Sequence, residues 1–161
     1  GVATHSSGNH AAALALAARQ RGVKAHIVMP SNAPEVKKAA VAGYGAEITF
    51  CEPTLQARES TLMQIVAATG ATIVHPYNNF QVIAGQGTAA KELIEAVGQL
   101  HIVMCPVGGG GLLSGTALSA KALLPGCKVV AAEPVGLPLG ELRARDLRTD
   151  DGAGAAGAAH R

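Results

Sequence analysis

The sequence has very few aromatic residues: it contains no tryptophan, two tyrosines and two phenylalanines, together 2% of its 161 residues. Proteins that hold single-stranded nucleic acid usually stack the bases on aromatic side chains, so this class is disfavoured. The formal net charge is only +2, charged residues amount to 15%, and the basic residues form no run. A groove that follows a phosphate backbone needs clustered lysine and arginine. We therefore expect no nucleic-acid partner.

Aspartate is absent from the first 145 residues, since the three aspartates are Asp146, Asp150 and Asp151. This absence excludes aspartic dyads, Ser-His-Asp triads and EF-hand calcium loops from that stretch. A serine hydrolase is also disfavoured because the G-x-S-x-G motif is missing. Four of the six histidines, His5, His26, His101 and His160, need no function.

The cysteines Cys51, Cys105 and Cys127 are odd in number and lack CxxC spacing. They predict neither a disulfide framework nor a zinc site, and we expect small buried side chains in a reducing cytoplasm. Long apolar runs and a signal peptide are missing as well. We expect a cytoplasmic protein without a membrane partner.

Hydrophobic residues make up 48% of the chain and consist mainly of alanine, valine, isoleucine and leucine. Their pattern alternates between strands and helices. Strands are predicted at residues 1–5, 24–29, 47–51, 71–75, 102–106 and 128–132, and helices at 9–21, 34–42, 55–68, 82–97 and 112–124. Strict alternation predicts an α/β fold with open parallel sheets and helices on both faces. In such folds the functional loops follow the carboxyl ends of the strands.

The first candidate site is the segment Thr-His-Ser-Ser-Gly-Asn-His at residues 4–10, where a predicted strand meets a predicted helix. Free N–H groups and the positive end of the helix dipole bind anions at such a point. The side chains of Ser6, Ser7 and Asn9 can add hydrogen bonds, and they are also good helix caps. The segment therefore predicts either a carboxylate or phosphate cradle or an ordinary N-cap.

The second candidate site is the run of four glycines at residues 108–111, after the strand predicted at 102–106. Consecutive glycines lose much backbone entropy on folding and supply no packing, so an ordinary turn rarely uses them. They allow successive N–H groups to converge on a phosphate. The run is not a Walker A loop, because glycine and not lysine precedes Thr116. It also departs from G-x-G-x-x-G, because Ser114 stands at the third glycine position. It therefore favours a phosphorylated cofactor other than a nucleotide.

Five short motifs occur in one order, at residues 6–10, 75–78, 82–88, 108–111 and 131–134. This ordered set resembles the fold-type II pyridoxal-phosphate enzymes, specifically the serine/threonine dehydratase and serine racemase group. The similarity runs from residue 1 to about residue 136. It implies pyridoxal 5'-phosphate as the cofactor and a tryptophan synthase β-like fold, here truncated at both ends.

The resemblance also implies roles for individual residues. One loop would bind the cofactor phosphate through its backbone: Gly108, Gly109, Gly110, Gly111 and Leu112. A second loop would hold the substrate carboxylate: Ser6, Ser7, Gly8 and His10. Asn9 would hydrogen-bond the hydroxyl of the pyridine ring. In the racemases the serine that matches Ser7 is also a catalytic acid/base, on the cofactor face opposite the lysine.

The lysine that forms the Schiff base in this family lies upstream of the serine-rich loop, before residue 1. The lysines of this chain stand in no matching motif, and we interpret them as solvated surface charge: Lys24, Lys37, Lys38, Lys91, Lys121 and Lys128. We therefore expect an internal piece of a longer enzyme that is inactive on its own. Its tail, at residues 139–161, is expected to be disordered and to come from a frameshift.

Glu133 matches a position that ligates a divalent cation in the racemases. The second carboxylate expected shortly afterwards is missing, since Leu137, Pro138 and Leu139 fill that stretch. One carboxylate is a poor Mg²⁺ site, and we expect weak or no metal binding.

The predicted organisation is a small α/β domain at residues 1–77 and part of a large cofactor-binding domain at residues 78–138. The predicted function is β-elimination on L-serine or L-threonine, a small amino-acid substrate, to a 2-keto acid and ammonia, with serine racemisation as a second activity. One alternative is another fold-type II lyase or synthase. Another is a non-catalytic phosphate-binding remnant, because the lysine is absent. The family usually forms dimers, so we expect a homodimer of the full-length form.

Overall fold

The computed structural model describes residues 1–133, which form two compact units, Gly1–Val82 and a second one that begins at Ile83. The strands are β1 (Val2–His5), β2 (Ala25–Pro30), β3 (Glu47–Cys51), β4 (Thr72–Ile73), β5 (Ile102–Pro106) and β6 (Lys128–Ala132). The helices are α1 (Asn9–Gln20), α2 (Glu35–Gly43), α3 (Leu55–Thr69), α4 (Phe80–Val97) and α5 (Gly111–Leu123). All pairings among these strands are parallel, which confirms the predicted α/β class.

The first unit is built on a four-stranded sheet in the order β3-β2-β1-β4. Every residue of β2 is buried, as expected for a central parallel strand covered on both faces. On one face, α1 and α2 pack small side chains such as Ala11, Ala15 and Val41 against Ile27 and Met29. The other face is covered by α3, through one cluster of buried side chains: Leu62, Ala3, Val28 and Ala71. The predicted arrangement of helices on both faces is thus confirmed for this sheet.

The ends of α3 and α4 are set by local hydrogen bonds. The Thr54 hydroxyl accepts the N–H of Ala57 at 3.1 Å and caps the start of α3. Gly70, with a φ of +66°, is the C-cap of this helix. The Asn79 side chain accepts the N–H groups of Gln81 and Val82 at the start of α4. This cap makes α4 begin at Phe80, two residues before the predicted start.

The second unit contains the two-stranded sheet β5-β6 with α5 packed on it. Val103 and Cys105 are buried on one face of β5, as are Leu113 and Ala120 on α5. Within this unit α4 and α5 approach closely, because Gly87 and Gly115 lie where the helices meet and Ser119 Oγ donates to the Gly87 carbonyl at 2.8 Å. Small residues allow two helix backbones to come this near.

Two sequence predictions need correction. The strand predicted at residues 71–75 contains only Thr72 and Ile73, because β4 makes two paired positions with β1 and the chain then turns. The expectation of buried cysteines holds for Cys105, whereas Cys51 and Cys127 are half-buried. The tail predicted at residues 139–161 lies outside the described residues. Within residues 1–133, none of the helices combines the length and hydropathy that crossing a bilayer requires.

Candidate functional site

The loop at residues 6–10 follows β1 and includes the first two residues of α1. The N-terminus of this helix has no side-chain cap among residues 1–133. The N-cap position is Gly8, and no side-chain oxygen among residues 1–133 accepts a hydrogen bond there. Ser6 Oγ instead accepts the N–H of Gly8 at 3.3 Å. The ordinary N-cap interpretation is therefore not what the structure contains. The N–H groups of the first turn of α1 are free to bind an anion.

Two of the other helices begin with a side-chain cap, since Thr54 caps α3 and Asn79 caps α4. Helix α2 has no side-chain cap but carries the acidic Glu35 in its first turn. Among the helices of residues 1–133, α1 and α5 alone begin on a glycine N-cap. Neither has a side-chain cap or an acidic first-turn residue in this part of the chain. Both thus keep the positive end of the helix open.

The glycine loop precedes α5 and has the backbone shape that an anion site needs. Gly110, the N-cap, has a φ of +87°, a left-handed conformation that strains any residue with a Cβ. A Cβ on Gly108 would point into open space, with no heavy atom within 4 Å. The Val107 N–H donates to the Ala132 carbonyl at 3.1 Å and fixes the start of the loop on β6. These features fit a phosphate group bound by backbone N–H groups.

Replacing Gly110 by alanine tests this assignment. Because alanine disfavours a φ of +87°, the loop should rotate its N–H groups away, and affinity for inorganic phosphate should fall about tenfold. The readout is a phosphate titration followed by the amide resonances of residues 108–112.

The matched control is Gly98→Ala, since Gly98 follows α4 in the same unit with a φ of +82°. The control carries a similar backbone strain outside the glycine loop and should leave phosphate affinity unchanged. Equal losses in the two variants would contradict a phosphate site at the glycine loop.

Three histidines gather at the carboxyl edge of the sheet in the first unit. The ring centroids of His5 and His75 are 6.2 Å apart in an edge-to-face arrangement. His10, in the first turn of α1, donates from Nε2 to the Val74 carbonyl at 3.3 Å. Burial, and then the neighbouring His75, lowers the pKa of His5; burial also lowers the pKa of His10, with a smaller lowering effect from His75. A neutral ring at position 10 suits the positive end of α1.

Sequence reasoning missed Lys37. This residue lies in the first turn of α2, and its Nζ would be 4.0 Å from a Cβ placed on Gly8. It therefore brings a positive charge to the loop at residues 6–10, although we interpreted it as surface charge alone. The sequence did contain a signal for Lys37, because a positive charge in the first turn of a helix is repelled by the positive end of the helix dipole.

The sequence-predicted residues thus fall into two separate loops. The first unit holds Ser6, Ser7, Gly8, Asn9 and His10. The second holds the glycine loop, Leu112 in the first turn of α5, and Glu133 just after β6. Within residues 1–133, no group of three His, Cys, Asp or Glu side chains is arranged to hold a metal ion.

A parallel α/β fold with glycine-started helices at strand ends is typical of enzymes that bind a phosphorylated cofactor. The family described as pyridoxal-phosphate dependent enzyme matches residues 1–152. The chain belongs to this family, and its residues have the fold of fold-type II pyridoxal-phosphate enzymes.

Two curated proteins and one solved structure illustrate what the chain is similar to. The chain is 54% identical over 136 residues to a serine racemase of Dictyostelium discoideum, covering 84% of this chain and 42% of that protein. It is 54% identical over 134 residues to a beta-hydroxyaspartate dehydratase of Paracoccus denitrificans, covering 83% and 42%. The structure of maize serine racemase matches with a TM-score of 0.81 and 48% identity, covering 84% of this chain and 41% of that one. The chain thus spans about two fifths of the length of these proteins.

Proposed function

We propose that the protein to which this chain belongs removes the amino group of L-serine or L-threonine by pyridoxal-phosphate-dependent β-elimination. The products are a 2-keto acid and ammonia, and racemisation of serine is a second activity. The observation that carries the proposal is that α1 and α5 each begin on a glycine N-cap, with neither a side-chain cap nor an acidic first-turn residue among residues 1–133, at a motif of the family. One is suited to a carboxylate and the other to a phosphate.

The relatives support a substrate with an oxygen on the β-carbon. One is named for serine and the other for β-hydroxyaspartate, and both compounds are α-amino acids with a β-hydroxyl group. Loss of the α-proton is a step that racemisation and β-elimination have in common. The two reactions differ in whether the α-carbon regains a proton or the β-hydroxyl leaves. A single site can therefore support both.

The residues of the chain divide this work between the two loops. The N–H groups at residues 108–112 would bind the phosphate of the cofactor, and Asn9 would donate a hydrogen bond to the hydroxyl of its ring. When bound, pyridoxal phosphate supplies an electron sink for the pair left at the α-carbon. Ser6, Ser7, Gly8 and His10 would orient the substrate carboxylate at the N-terminus of α1. Ser7 gives a proton to the α-carbon, or takes one from it, through its hydroxyl group.

The first step of the test is to sequence the coding DNA on both sides of this segment and to express the whole reading frame. The protein is then supplied with pyridoxal phosphate and offered L-serine, L-threonine and L-threo-3-hydroxyaspartate. We expect 2-keto acid and ammonia in equal amounts, together with D-serine from L-serine. Formation of a β-substituted amino acid would point instead to a lyase or synthase. Phosphate binding without any product would point to a non-catalytic remnant.

Replacing Lys37 by methionine should weaken substrate binding. Because the Lys37 ammonium is exposed, its attraction for the substrate carboxylate is screened, and KM should rise about three- to fivefold with little change in kcat. Added salt should diminish the difference between the variant and the wild type.

Lys38→Met is the matched control for this charge change. Lys38 lies on the same helix, but its Nζ binds Glu35 at 2.7 Å and the Ser31 carbonyl at 2.9 Å. The control should therefore leave KM near the wild-type value. A KM that is equal in the Lys37 variant and the wild type would contradict a role of Lys37 at the loop.

A further inference from the structure

His75 binds two backbone N–H groups through one ring nitrogen. Its Nδ1 accepts the N–H of Asn78 at 2.9 Å and the N–H of Tyr77 at 3.3 Å. A ring nitrogen that accepts a hydrogen bond carries no proton, so the neutral ring has its hydrogen on Nε2. A doubly protonated ring has no acceptor and would lose both bonds. The turn after β4 therefore depends on a neutral His75.

The arrangement is that of an Asx-turn with an imidazole in place of the amide. In an Asx-turn a side-chain oxygen accepts the backbone N–H groups just downstream, as Asn79 does for Gln81 and Val82. His75 does the same for residues 77 and 78, and Pro76 between them has no N–H. Two side-chain acceptors in series thus shape residues 75–82, and the first of them can be protonated.

This turn lies beside the loop at residues 6–10. Since β4 pairs in parallel with β1, the two strands end at the same edge of the sheet. Two contacts join the segments at these strand ends. The ring centroids of His5 and His75 are 6.2 Å apart, and His10 Nε2 lies 3.3 Å from the Val74 carbonyl oxygen. A change in the turn therefore alters the contacts of His5 and His10, which lie on either side of Ser6 and Ser7 in the sequence.

Several titratable and charged groups surround His75. His5 on β1 and His10 on α1 both interact with it electrostatically, and each has its pKa lowered in part by His75. Arg58 and Glu59 on α3 act on His5 with opposite signs. Tyr77 contributes its ring, edge-to-face at 4.6 Å. A positive charge on His75 therefore disfavours a positive charge on His5 or His10.

We propose that the neutral ring of His75 positions the turn at residues 75–79 against the loop at residues 6–10, and that protonation of this ring releases the turn. As a statement about catalysis the inference rests on the proposed function. As a statement about the turn it rests on hydrogen bonds that are independent of any reaction. His75 acts through the turn and is a positioning residue.

Two variants of the full chain, measured by amide hydrogen exchange, test the proposal. His75→Asn keeps an acceptor at this position that cannot be protonated, whereas His75→Leu removes it. At pH 8 we expect the protection of the Tyr77 and Asn78 amides to fall about tenfold in the leucine variant and to stay near wild type in the asparagine variant. As the pH falls, the wild type should lose this protection and the asparagine variant should keep it. Unchanged protection in His75→Leu, or the same pH response in His75→Asn and the wild type, would overturn the proposal.

The whole reading frame gives a second readout. We expect kcat/KM to fall about tenfold in His75→Leu and to stay near the wild-type value in His75→Asn. If the reading frame has no activity at all, the proposed function fails while the exchange result still decides the role of His75. Should the leucine variant not fold, the pH response of the wild type against His75→Asn decides it.

Discussion

Ser7→Ala is expected to lower the racemisation of L-serine by at least about a hundredfold while elimination changes by no more than about threefold. The Ser7 side chain is half-buried in the loop before α1, and no hydrogen bond of its hydroxyl is seen among residues 1–133. A hydroxyl that no protein group engages is available to a bound substrate. Racemisation needs that proton to arrive from the face of Ser7. Elimination only needs the α-proton and the β-hydroxyl to leave.

The measurement is the ratio of D-serine to pyruvate formed from L-serine by the whole reading frame. Ser6→Ala is the matched control, because Ser6 lies one residue away and its Oγ accepts the N–H of Gly8 at 3.3 Å. Loss of that bond should loosen the carboxylate loop and raise KM for both reactions alike. If Ser7→Ala lowers both reactions equally, Ser7 binds substrate and is not the proton donor.

The order of strands and helices could be predicted because each element carries a local signal. Apolar runs bounded by glycine or proline gave β2 and α1 to within one residue at each end. The extent of β4 could not be predicted in this way. The apolar character of residues 71–75 favours a strand, but pairing with β1 ends after Ile73, where the His75 turn begins. Hydrogen bonds made after the strand, and not its composition, set this boundary.

The two anion-binding loops could be located from the sequence because glycine, serine and asparagine at a helix start have few other uses. Their bare N–H groups could not be predicted, since Ser6, Ser7 and Asn9 are all good caps by composition. The structure shows that Gly8 occupies the cap position instead. Lys37 was missed for a different reason: its nearness to Gly8 depends on how α2 packs beside α1, which no local pattern encodes.

The contact between α4 and α5 is another feature that sequence alone did not reveal, and it lies within the helix that follows the glycine loop. Gly115 lies one helical turn beyond Gly111, where α5 begins. A Cβ on Gly115 would lie 2.5 Å from the Gly87 nitrogen and would also meet the Ile83 carbonyl. Both obstacles are backbone atoms, so no side-chain rotation can relieve the clash. The helices would have to separate.

Gly115→Ala is therefore expected to destabilise the second unit by about 3 kcal/mol. Gly85→Ala is the matched control, because Gly85 is an exposed residue of α4 whose added Cβ meets nothing within 4 Å. There the same change should stabilise the helix by about 0.5–1 kcal/mol, since alanine loses less backbone entropy than glycine. The free energy of opening is measured from amide hydrogen exchange in α4 and α5.

The two substitutions also show whether phosphate binding depends on the packing of α4 against α5 or only on the helix propensity of the residue that is changed. If separation of α4 and α5 moves the first turn of α5, Gly115→Ala should weaken phosphate binding as well as stability, while Gly85→Ala should leave binding unchanged. A Gly115 variant as stable as the wild type would mean that the helices can part without cost. The glycine loop would then owe its shape to Gly110 and to the Val107–Ala132 hydrogen bond alone.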